Sequence, residues 1–123
     1  MKLAPGEFEE LVKQAIAEVP DFAKRYLEEV VVDIEPMPTR VECARLGIRN
    51  PRVLLGLYHG TPRTKRGLGH AQMQPDHITI YQTNIERICR TREQVVEQVR
   101  KTVLHEIGHH FGLDEDDLRE AGY

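Results

Sequence analysis

Residues 105–109 read His105-Glu106-Ile107-Gly108-His109, two histidines four positions apart with a glutamate directly after the first. Side chains four apart stand one above the other on an α-helix, so both imidazoles can close on one tetrahedral Zn2+. Glu106 lies about 100° round the helix from His105, where it can serve a metal-bound water as general base. That is the chemistry of a zinc-dependent hydrolase, most simply one that cuts a peptide bond. From the histidine and glutamate content of the chain, a chance occurrence of the pattern has a frequency of roughly a few per cent. The competing reading is a pair of histidines on a solvated helix face.

A zinc site built on two helical histidines needs one more protein ligand. Only 14 residues follow His109, which leaves little room for a glutamate on a later helix. A ligand delivered by a sharp turn straight after the helix is the alternative, in the pattern H-E-x-x-H-x-x-G-x-x-(H or D). Gly112 stands where that pattern turns the chain back, and Glu115 occupies the third-ligand position. Asp114 and Asp116 flank it and compete for the role. His110 falls at the edge of the apolar side of the helix and reads as a partly buried structural residue. His59, His70 and His77 are scattered on strand or loop, with His77 a neighbour of the cleft at most.

The elements that must carry these residues follow from periodicity. Thr91 with Gln94 three residues on has the form of a capping box. Val96, Val99, Val103, Leu104, Ile107 and Phe111 then make one apolar stripe, and Gly112 supplies a left-handed stop. His105 and His109 fall on nearly the opposite side, beside Gln98 and Thr102. Upstream, Phe8, Leu11, Val12, Ala15, Ile16 and Val19 recur at helical spacing over Gly6–Glu18, and Pro20 ends that helix. Asp21–Glu29 adds a short helix. Val30–Ile34 is β-branched and closed by Pro36 and Pro38, a strand. Val41–Asn50 suggests a helical turn stopped at Gly47 and Pro51. Val53–His59 reads as a strand apolar on both faces, hence central. Residues 60–75, with Arg63, Lys65 and Arg66, read as a long loop. His77–Tyr81 alternates, with Ile78 and Ile80 on one face and His77, Thr79 and Tyr81 on the other. Asn84–Cys89 forms a further helical turn. The order predicts an α+β fold, a small mixed β-sheet packed with helices, in a single domain over residues 1–123.

With the motif and the strands in hand, the sequence resembles the bacterial family of short, minimal zincin-like metallopeptidases. The stretches that carry the likeness are Val31 to Pro38, Leu55-Gly56-Leu57-Tyr58, Ile78-Thr79-Ile80-Tyr81, and His105 through Gly112 with its acidic tail. The resemblance implies a minimal zincin-like fold with zinc on His105 and His109, Glu106 as base and an acidic third ligand. The family's third ligand is usually aspartate, whereas Glu115 is one methylene longer. Larger metzincins add a methionine-containing turn and a lower lobe after the motif. Met1, Met37 and Met73 all precede this helix, so the chain looks like the upper half of a protease.

Composition bounds the rest. The 123 residues carry 17 basic and 20 acidic side chains, a net charge of −3 that argues against nucleic acid as a partner. Two cysteines, Cys43 and Cys89, form no Cys-x-x-Cys pair and suit a reducing cytoplasm. Met1 to Glu10 turns acidic before any apolar run forms, so no export signal is expected, and no segment is long enough to cross a membrane. The expected cofactor is Zn2+ and the expected partner a peptide or protein substrate, docked along a sheet edge near His77–Tyr81. Tyr81 is a candidate oxyanion donor. The alternative from a different class is a zincin-like domain that does not cleave, acting as a binding or regulatory module or relying on a protein partner to complete its cleft.

Overall fold

A computed structural model describes residues 1–60, 75–112, 116 and 119 of the chain. The basic stretch 61–74, and Asp114 and Glu115 of the acidic tail, lie outside the described residues. Five helices and three strands are present among those described. In chain order they are α1 (Pro5–Ala17), α2 (Asp21–Leu27), β1 (Val30–Glu35), α3 (Arg40–Leu46), β2 (Gly56–His59), β3 (Asp76–Tyr81), α4 (Gln82–Ile88) and α5 (Arg92–His110). The fold is α+β, as the sequence predicts.

The sheet order is β1-β3-β2, with β1 parallel and β2 antiparallel to β3. The expectation of a central strand at Val53–His59 is therefore corrected. Residues Pro51–Val53 form a 3-10 turn, β2 is only Gly56–His59, and it lies at the edge. The centre belongs to β3, whose Ile78, Ile80 and Tyr81 are wholly buried. Pro51, at the first position of the 3-10 turn, prevents an earlier start to the strand. Asn84 then fixes the approach: its buried Nδ2 donates to the carbonyls of Pro51 at 2.8 Å and Leu54 at 2.6 Å.

One face of the sheet, through Ile78 and Ile80, shares a core with Phe8, Val12 and Ala15 of α1 and Val95, Val96, Val99, Val103 and Ile107 of α5. The helix stripes of α1 and α5 meet as their periodicity requires. The other face carries Asp33, His77, Thr79 and Tyr81, and α3 lies over Tyr81 through Glu42, whose Oε2 accepts from the phenol at 3.4 Å. A capping box starts α3: Glu42 N–H donates to Thr39 Oγ1 at 3.1 Å and Thr39 N–H to Glu42 Oε1 at 2.9 Å. Gly47 ends α3 at φ 71°, a left-handed position where glycine carries no Cβ penalty. The box foreseen at Thr91 is half made. Gln94 N–H donates to Thr91 Oγ1, but the Gln94 side chain accepts from Arg90 N–H, one residue earlier.

Candidate metal and catalytic site

All five residues of the motif lie in the last turns of α5, and Gly112 follows at φ 74° in the left-handed stop its type predicts. His105 and His109 stand on one face one turn apart, their ring centres 6.1 Å apart and tilted by 58°. Two imidazoles on one tetrahedral zinc, each nitrogen about 2.0–2.1 Å from the metal, would hold their ring centres about 5 Å apart, so a side-chain adjustment of about 1 Å brings this pair onto the metal its spacing suggests. His105 is half-buried and His109 exposed. Among the described residues no three His, Cys, Asp or Glu side chains converge on one point. Glu115 and Asp114 lie outside those residues, and Asp116 is exposed.

Glu106 is where strand and helix meet. Tyr58 N–H, on the outer edge of β2, donates to Glu106 Oε1 at 2.9 Å. Burial pushes the carboxyl above the ordinary carboxylate range, opposed by that hydrogen bond and by the nearby imidazoles of His109, His105 and His59. The desolvation has a structural origin that helical periodicity alone does not reveal. The flank of α5 bearing Thr102 and Glu106 is expected to be solvated, yet Thr102 is only 8% exposed. Strand β2 covers it, and Gly56 makes that possible. A Cβ at Gly56 would stand 2.6 Å from Thr102 Cγ2 and 3.1 Å from the Thr79 carbonyl oxygen.

The contact continues along the strand in regular steps. Gly56 lies on Thr102, Tyr58 N–H reaches Glu106, and Gly60 faces His110, whose Cε1 would stand 2.9 Å from a Cβ there. Two strand residues advance about 6.8 Å and four helical residues about 6 Å, so the two ladders stay matched over three rungs. The Tyr58 ring is itself held: it stacks on His110 with centres 3.9 Å apart, and its hydroxyl donates to the buried Asp76 at 2.7 Å. His110 is thus the structural histidine its helical position predicts, with a side chain 29% exposed.

Other sequence candidates fall elsewhere. His77 Nδ1 lies 2.5 Å from Asp33 Oδ2, on the sheet face turned away from α5, and not at the cleft. His59 Nε2 lies 3.8 Å from Glu42 Oε2. Tyr81 is corrected as an oxyanion candidate: it is fully buried, and its hydroxyl points to Glu42. Its position opposite Ile78 and Ile80 turns it away from the helix that carries Glu106. Docking along His77–Tyr81 is corrected too, because β3 is flanked on both sides. Tyr58 and Asp76 are the residues the sequence did not single out; strand tyrosines and loop-end aspartates are too common for their types to signal a role.

A helix with paired histidines and a desolvated glutamate, laid against the edge strand of a small mixed sheet, defines a zincin-like architecture. The family model described as zincin-like metallopeptidase matches residues 27–123, and the chain belongs to that family. Among solved structures, a conserved hypothetical protein from Thermus thermophilus is similar at 27% identity and a TM-score of 0.56, over 89% of this chain and 94% of that one. No curated protein matches this chain.

Proposed function

We propose that the chain is a zinc-dependent peptidase with His105, His109 and Glu115 as metal ligands and Glu106 as general base. The observation that carries this reading is the carboxylate of Glu106, half-buried beside the histidine pair and oriented by Tyr58 N–H. Zinc, when bound, supplies an acidified water and polarises the carbonyl to be attacked. Glu106 takes the proton from water and passes it to the leaving amine, a task suited by a carboxyl that burial makes more basic. The substrate is an extended peptide presented to the histidine pair beside β2. No helix among the described residues is long and apolar enough to cross a membrane. Cys43 and Cys89, both free and buried, suit the cytoplasm.

Metal analysis of tag-free protein is the first test, with close to one zinc per chain expected. His105→Ala should lose the metal. Glu106→Gln should keep it while peptide turnover falls by about 10²–10⁴, the range for removal of a general base. Protein that takes up no zinc when it is offered, or turnover that survives Glu106→Gln, would refute the assignment.

A further inference from the structure

On the far side of the sheet from α5, a cleft of about 500 Å3 opens between the Met37–Pro38 segment, α3 and the chain from Ile48 to Pro51. That volume is within the range of small-molecule sites, about 300–1,000 Å3. Its walls are Met37, Cys43, Ala44, Ile48 and the two prolines, none of which offers a side-chain oxygen or nitrogen. Two further residues complete the lining, Arg40 and Arg49, and no described lining residue is acidic. Neither arginine has an ion-pair or hydrogen-bond partner among the described residues.

The surrounding sequence strengthens the charge. Residues 39–53 hold four arginines, Arg40, Arg45, Arg49 and Arg52, against one acid, Glu42, in a chain that is acidic as a whole. Glu42 is committed elsewhere, to Thr39 and Tyr81. A guanidinium recognises a carboxylate through paired N–H donors. Apolar walls leave any amide group of an occupant without a side-chain partner, which is costly once buried. A hydrocarbon body with a single anionic head satisfies both conditions.

We propose that this cleft binds a medium-chain aliphatic carboxylate, its chain against Met37, Ala44, Ile48 and Pro51 and its head on Arg40 and Arg49. The site is formed by residues 37–51 and shares no residue with the histidine helix, so it stands whether or not the chain cleaves peptides.

Of the two described methionines, Met1 and Met37, only Met37 lines the cleft, so a protein labelled with 13C at the methionine methyls carries its own control in Met1. Titrated with octanoate, the Met37 methyl should shift saturably while Met1 stays fixed. In Arg40→Ala/Arg49→Ala, at exposed positions where folding is not at stake, the affinity should fall about tenfold or more, the scale of one lost charge-assisted hydrogen bond. Ala44→Phe, which fills the cleft without touching charge, should abolish the shift. n-Octanol should bind more weakly than octanoate and be indifferent to the arginines. The proposal falls if octanoate leaves Met37 unmoved, if octanol binds as well, or if the double variant binds octanoate unchanged. It also falls if N-acetyl-leucine binds more tightly than octanoate, which would make the occupant a peptide end.

Discussion

Two ionisable side chains on opposite faces of the sheet show how burial sets chemistry at single positions. Glu106 is made more basic beside the histidine pair. Tyr81 is made a weaker acid on the opposite face, raised first by burial and then by the negative charges of Glu42 and Glu35. The sign of the second effect is fixed. A phenol whose folded-state pKa lies above the ordinary value near 10 contributes stability that is fully present below that pH. The contribution is lost as pH rises through the folded value. We expect the tyrosine absorbance titration of the native protein to contain a component that ionises only with alkaline unfolding, and Tyr81→Phe to remove it. If Tyr81→Phe instead lost a component that titrates while the protein is still native, the burial of the phenol would be contradicted.

At the scale of elements, α5 was legible and β2 was not, for a physical reason. A nineteen-residue helix repeats its pattern often enough for a cap, a stripe and a left-handed glycine to agree. A four-residue strand has no such redundancy, and of the apolar residues before it Val53 belongs to a 3-10 turn held by Asn84 while Leu54 and Leu55 only lead into the strand. The histidine pair could be placed from spacing alone. The environment of Glu106 could not, because it depends on a strand that arrives from 48 residues away in sequence. Gly56 decides that arrival. Gly56→Ala should cost about 1–3 kcal/mol, the usual penalty for overpacking, and should loosen the Tyr58–Glu106 hydrogen bond. Adding Thr102→Ser removes the Cγ2 at 2.6 Å and should recover part of the loss, the Thr79 carbonyl at 3.1 Å accounting for the remainder. Urea unfolding of the two single variants and the double variant measures the coupling; additive effects would mean the strand does not bear on Thr102.

For the whole molecule, the boundary of the family match does not coincide with the boundary of the core. The match begins at residue 27, yet α1 lies before it and covers the stripe of α5 with Phe8, Val12 and Ala15. Phe8 is fully buried among Val95, Val96, Val99 and Val103. Phe8→Ala should therefore destabilise the protein by about 3–5 kcal/mol. The loss should appear in one cooperative transition shared by the histidine helix, readable by urea unfolding alongside amide exchange in α5. Exchange protection in α5 that survives the substitution would mean the helix is stable on the sheet alone. The sequence shows α1 clearly by its period, and the family resemblance, carried from about Val30 onward, gives no hint that the site helix depends on it.

The matched rungs of β2 and α5 bear on how this protein can change over time. Substitutions alter one rung and leave the others standing. Gain or loss of a single residue between Gly56 and Gly60 would rotate every later peptide unit of the strand by half a turn. The amide that now faces Glu106 would face β3, and a side chain would land where only hydrogen fits against His110. Length variation among descendants of this chain should therefore fall outside residues 56–60, even where the amino acids within that stretch drift.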